Sequence, residues 1–142
     1  MTFEAASFAH CIRAPIVLAM ACSISLAACG EPEPLCHNKI IREALSPDEA
    51  MKATLFQRDC GPPTGSSSQV SVTAADETER SKGNTLIIDA AGAATASAWG
   101  GPDVSMTWTK PRALTLGFSS RVRIIAFEPE TRGVTISYKT DD

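Results

Sequence analysis

The side chains that could do chemistry fall in two short runs, Cys36-His37 and Arg58-Asp59-Cys60. Nucleophilic catalysis of the Ser-His-Asp or Cys-His kind needs a histidine held by the fold beside a hydroxyl or thiol. The chain has two histidines, His10 and His37, and His37 adjoins a cysteine. Residues 65–69, Gly-Ser-Ser-Ser-Gln, lack the second glycine of a nucleophile elbow. No glycine-rich loop follows a strand and opens a helix, so nothing points to a phosphate cradle. No second cysteine pair offers zinc spacing, and no metal or other cofactor is expected. Asp59, Asp89 and Asp103 are the carboxylates outside charge runs that could act as acid or base. Arg58-Asp59 is the most informative charged pair. Its simplest reading is an ion pair or a turn cap at a cysteine corner, and a surface site is the alternative. Glu128 and Glu130, around Pro129, read as an exposed turn.

Composition excludes several classes of partner. The net charge is −3, and the first 28 residues hold one cation, Arg13, and one anion, Glu4. The rest of the chain therefore carries the same −3, which gives no reason to expect nucleic acid or anionic headgroups as electrostatic partners. An apolar run over 14–28 is about 15 residues long, within or just above a signal h-region and short of the ~20 that span a bilayer.

That run ends in Leu26-Ala27-Ala28-Cys29-Gly30. Small residues before a cysteine, after an apolar stretch, resemble the signal of bacterial lipoproteins. The resemblance implies a signal helix over 1–28 that is cleaved before Cys29. It implies diacylglycerol on the Cys29 thiol and acylation of the new amino group. Two or three acyl chains hold a protein on a membrane almost irreversibly, since each buried CH₂ adds ~0.8 kcal/mol. Gly30 after the lipidated residue implies sorting to the outer membrane rather than the inner, facing the periplasm. Cys11 and Cys22 leave with the signal and Cys29 is consumed by lipid, so Cys36 and Cys60 remain. An even remainder in an oxidising compartment predicts one disulfide. Closing a loop of ~25 residues is worth roughly 3.5 kcal/mol on the chain-entropy model.

Residues 29–35, with Pro32 and Pro34, form a short extended tether of roughly 20 Å reach. Residues 36–142 read as a single β domain. In 103–109, Val104, Met106 and Trp108 alternate with hydroxyls, the period of a half-buried strand. A turn at 110–112 leads to Leu114, Leu116 and Phe118 on alternate positions, which is a hairpin. Further strands are expected at 69–73, 84–88, 121–127 (stopped by Pro129) and 133–139. Residues 40–44 and 52–58 flank Ser46-Pro47-Asp48-Glu49, a turn signal. A hairpin closed there brings Cys36 and Cys60 together. A short helix capped at Ser46, with Glu49 completing a capping box, is the alternative; the strand is preferred because Cys60 must return to Cys36. Residues 76–82 read as a solvated charged connection. Residues 90–101 read as a small-residue loop in which Trp99 is either a binding anchor or, as preferred, a side chain tucked into the core.

A second resemblance lies at Phe56-Gln57-Arg58-Asp59-Cys60-Gly61-Pro62-Pro63-Thr64, followed by Ser68-Gln69-Val70-Ser71 and Gly83-Asn84. It is to small bacterial envelope proteins without an assigned activity. It covers roughly residues 36–90 and implies that Cys36 and Cys60 are partners. Glu49 stands where that pattern has a turn glycine, and Pro62-Pro63 replaces smaller residues.

The expected architecture is all-β: a small antiparallel meander, sandwich or open barrel of about six to eight strands, with one disulfide, after a cleaved signal helix. The leading function is a non-catalytic, lipid-anchored envelope protein that binds an envelope partner. Cys29 anchors it, and Arg58, Asp59 and Trp99 are the candidate surface site. An inhibitor or immunity-type module, like the lysozyme-inhibitor lipoproteins, is the alternative, although no loop motif of that family is present. A small hydrolase using Asp59, Asp89 or Arg58 comes third, and it requires those groups to converge.

Overall fold

The computed structural model describes residues 36–63, 65–79, 81–90 and 96–141. The signal segment 1–28, Cys29, the tether and residues 91–95 of the small-residue loop lie outside the described residues.

Among the described residues, nine strands form two sheets: β1 (His37–Leu45), β2 (Met51–Asp59), β3 (Ser66–Ala74), β4 (Leu86–Asp89), β5 (Ser105–Lys110), β6 (Ala113–Ser119), β7 (Arg123–Phe127), β8 (Glu130–Thr131) and β9 (Val134–Asp141). One sheet has the order β1-β2-β3-β4-β7 and the other β5-β6-β9-β8. There is no helix among the described residues, so the turn reading of Ser46-Pro47-Asp48-Glu49 holds and its helical alternative does not. The eight segments expected as strands correspond to β1–β7 and β9; β8, at two residues, is too short to carry a period.

Alternation selects the side chains that meet between the sheets. Met51, Ala53, Leu55, Val70, Val72, Leu86 and Ile88 come from the five-stranded sheet. Val104, Leu114, Leu116, Phe118, Val134 and Ile136 come from the other sheet or its approach, in the same cluster. The fold is therefore a sandwich. Ile41 breaks the β1 alternation: it is the extra residue of a bulge between Ile40 and Arg42. The bulge lets Ile41 pack on the core while Arg42 reaches across to Asp103 and Val104 O. The indole N–H of Trp108 donates to Ala44 O at 3.0 Å, a second link from β1 to β5. On the opposite side, Tyr138 of β9 stacks on Phe118 and meets Phe127 of β7 edge-on at 4.9 Å.

One pairing departs from an antiparallel meander. β6 and β9 run parallel, from Ala113↔Thr135 to Ser119↔Asp141. The path between them explains it. After β6 the chain enters the five-stranded sheet as β7, then returns as β8. Pro129 marks the corner. Glu128 N donates to Thr85 O of one sheet, and Pro129 O accepts from Ile136 N of the other. Proline has no N–H to pair, so a strand that changes sheets loses least by breaking there.

The β1–β2 hairpin is closed by Ser46 N donating to Met51 O and Glu49 N to Ser46 O, both at 2.8 Å. Glu49 has φ +54°, the left-handed region that glycine takes freely. Asp48 Oδ1 accepts from the Ser46 hydroxyl at 2.6 Å and from Ala50 N at 3.3 Å. The Ser46 hydroxyl bond holds the Asp48 carboxyl below its ordinary value. At the other end of this hairpin, Cys36 and Cys60 are bonded, one rung beyond the His37↔Asp59 pair.

Two predictions follow from this hairpin. Replacing both cysteines, Cys36→Ser with Cys60→Ser, is expected to lower unfolding free energy by roughly 3.5 kcal/mol in a denaturant titration, as loop closure over 24 residues implies. Asp48 has a lowered folded value, so its contribution is complete above its unfolded value and lost as pH falls through the folded one. Thermal melts between about pH 5 and about pH 2.5 are expected to show a shallower acid limb for Asp48→Asn than for the wild type.

Candidate functional site

The face of the five-stranded sheet turned away from the core is built in rows that follow from the register. One row runs Ile40, Phe56, Gln69, Ile87, Ala126, each the partner of the next. The adjoining row carries Asn38, Arg58 and Ser67 on β1–β3, and the Asp89–Arg123 pair on β4–β7. Arg58 donates to Asn38 Oδ1 at 2.8 Å, and Gln69 Nε2 donates to Ser67 Oγ at 2.8 Å. The Arg123 guanidinium makes two bonds to the Asp89 carboxylate, one at 3.0 Å. Its hydrogen bond and then its charge raise the Arg123 pKa above the ordinary value.

This face is not open along its whole length. Residues 75–79 and 81–84 cross it as a strap. Gly83 N donates to Gln69 Oε1 of β3 at 2.6 Å, and Ser81 O accepts from Asn38 Nδ2 of β1 at 2.9 Å. Between those two points lies β2, where Phe56 and Thr54 are fully buried. The strap re-enters the sheet through Asn84. Its side chain accepts from Val72 N and donates to Val72 O, both at 2.9 Å, so an amide stands in for a strand rung. At the outer end Arg132 pairs with Glu77 at 2.7 Å. The segment expected as a solvated connection is thus a cover. Asp76, Glu77 and Lys82 stay exposed while Gly83 lies against the sheet. A Cβ on Gly83 would stand 2.9 Å from Gln69 Cβ and 3.1 Å from Val70 O.

The structure separates the side chains proposed as a surface site. Arg58 and Asp59 are successive residues of a strand, so they point to opposite faces. They do not pair. Arg58 bonds Asn38, and Asp59 Oδ1 caps the corner by accepting from Gly61 N at 2.9 Å. The turn-cap reading of Asp59 holds, and the ion-pair reading does not. Trp99 is half-buried and packs on the core cluster. Its ring lies against Gly101, where a Cβ would also meet Ser68 Oγ at 2.8 Å. The Ser68 hydroxyl bonds Pro102 O at 2.7 Å and fixes the same loop. Trp99 is therefore a pin. Asp89 lies on the outer face with Arg123, and Asp103 pairs with Arg42 at 3.3 Å. The carboxylates suggested for acid–base work do not converge.

Among the described residues, no group of three or more His, Cys, Asp or Glu is placed to hold a metal ion. Also among them, no helix is long and apolar enough to cross a membrane. Asp103, Ser105, Ser119, Arg121 and Asp141 line a groove of about 440 Å³ at the sheet end, over Gly117. Such polar faces can hydrogen-bond a partner; none presents a nucleophile with an adjacent base. Comparison with the patterns of known protein families, with curated proteins and with solved structures finds no match.

The sequence reading named Gln69 and Gly83 only within a resemblance, and gave neither of them nor Asn38 a role in holding a cover. Their roles depend on bonds spanning 43 and 14 residues. The local signals were that resemblance and the alternation that puts Asn38 and Ile40 on one face with Arg58 and Phe56. Gly83→Ala is expected to cost about 1–3 kcal/mol, as overpacking does, and to speed hydrogen exchange at the strap amides more than at β6 and β9.

Proposed function

We propose that this chain is a non-catalytic, lipid-anchored module of the bacterial cell envelope. Cys29 carries the lipid, and the β domain binds an envelope protein. The observation that carries the reading is the division of labour among the cysteines. Cys36 and Cys60 are joined to each other, one rung past the end of a hairpin. The sequence leaves Cys29 directly after an apolar run and two alanines. A disulfide fits an oxidising compartment outside the cytosol, and a cysteine at that spacing fits an acylation site. The domain itself contributes rigid polar faces, and a sandwich with a covered second face is a suitable scaffold for binding through loops or sheet ends. Outer-membrane residence, facing the periplasm, follows from Gly30 by resemblance.

The test is metabolic labelling with tritiated palmitate in a bacterial host that lipidates exported proteins. The wild type is expected to take up label and fractionate with membranes. Cys29→Ser is expected to lose both the label and the membrane fraction while keeping the Cys36–Cys60 bond. An unlabelled wild-type band would refute the reading.

A further inference from the structure

We propose that the outer edge of β7 is a contact for a second copy of this chain, set antiparallel to the first about a two-fold axis. This contact needs no lipid anchor, so it stands apart from the reading above. β7 is the last strand of its sheet, and among the described residues no strand pairs with its outer side. β1, the opposite edge, carries Lys39, Arg42 and Glu43, charges of the kind that discourage edge-to-edge pairing. Past Arg123, β7 carries none: Ile124, Ile125, Ala126 and Phe127 follow one another. Ile124 is 41% exposed and Ile125 52% exposed. Tyr138, 47% exposed, meets Phe127 edge-on and extends the same apolar side onto β9. Large apolar side chains exposed in one place mark an interaction surface.

The order of charges along this segment selects the occupant. Arg121 and Arg123 stand at its start, Glu128 and Glu130 at its end. A segment of that polarity complements its own reverse, and a two-fold axis supplies the reversal. Arg121, Glu128 and Glu130 have no ion-pair partner among the described residues. Arg123 holds Asp89, yet its side chain stays largely exposed. An axis between Ile125 and Ala126 sets Arg123 against Glu128 of the second copy, Ile124 against Phe127, and Ile125 against Ala126. Opposed residues of an antiparallel pair must share a face. Ile124 and Phe127 do share one, because they pair with Ile88 and Leu86, both in the core cluster. A bulge makes this possible, since Ile125 is the extra residue between Ile124 and Ala126. The bulge also interrupts the ladder, so side chains rather than a continuous set of backbone bonds make the contact. Beside the edge lies a slot of about 220 Å³, lined by Ile87, Ala126, Lys82 and Glu128 among others. Ile125 of each copy comes over Ala126 of the other, at that slot.

A five-residue edge is small beside the interface of a stable dimer, so the association is expected to be transient and is read by covalent capture. The full chain is produced in a bacterial host with a photo-reactive benzoylphenylalanine in place of Ile124 or, separately, of Thr107, which is exposed on the other sheet. Irradiation of intact cells is expected to give an adduct of twice the chain's mass from position 124, several-fold above that from position 107. Peptide mapping is expected to place the cross-link on 124–128 of the second copy. Ile125→Lys and, separately, Glu128→Lys on the 124-probe background are expected to lower the yield several-fold. Retention of the Cys36–Cys60 bond, read by mass without reduction, shows that each variant still closes its first hairpin. Absence of the doubled mass, equal yields from the two positions, or capture chiefly of a different protein overturns the proposal. So does an unchanged yield in both lysine variants. Loss of acylation leaves all these outcomes readable, so failure of the anchor reading and failure of this contact are told apart.

Discussion

β2 is buried on both faces, and most of the structure answers to that constraint. Met51, Ala53 and Leu55 point one way and Thr54 and Phe56 the other, and all five are buried. A strand of an antiparallel sheet commonly has one wet face. Here the inner face is closed by the second sheet and the outer face by the strap. Phe56 is large and fully buried, so uncovering it costs on the order of 2–3 kcal/mol. The strap must therefore be held in place. Asn38 and Gln69 hold it from β1 and β3, the two strands that flank Phe56. Glycine at 83 is required because the strap lies so close to the sheet.

The same constraint explains why the polar outer row is structured. Arg58, Asn38, Ser67 and Gln69 are tied to one another or to the strap, not left to solvent. A half-buried guanidinium or amide without partners is costly, and a linked set is not. Their first role is to fasten a cover. The outer face of the four-stranded sheet, with Thr107, Thr135, Ser137 and Lys139 exposed, carries no such cover and stays open to solvent, as do the turns.

The two sheets are joined differently at their two sides. On the β1–β5 side the joint is polar, through Arg42 and Trp108, and it depends on the bulge that turns Ile41 inward. On the β7–β9 side it is aromatic, through Phe118, Phe127 and Tyr138. The chain itself crosses between sheets at Pro129, and the parallel β6–β9 pair is the consequence.

By itself the sequence determined the strands, because alternation with period two is a local property of each segment. Val104, Met106 and Trp108 read correctly from spacing alone. It also determined the pairing of Cys36 with Cys60, since a turn midway between two cysteines brings them together. Tertiary structure alone decided how the strands divide between two sheets, which of two adjacent residues, Arg58 or Asp59, faces the strap, and that residues 75–79 and 81–84 form a cover. The physical reason is range. Periodicity is written within a few residues, whereas a polar side chain such as Asn38 or Gln69 shows its partner only after the fold brings a distant backbone to it.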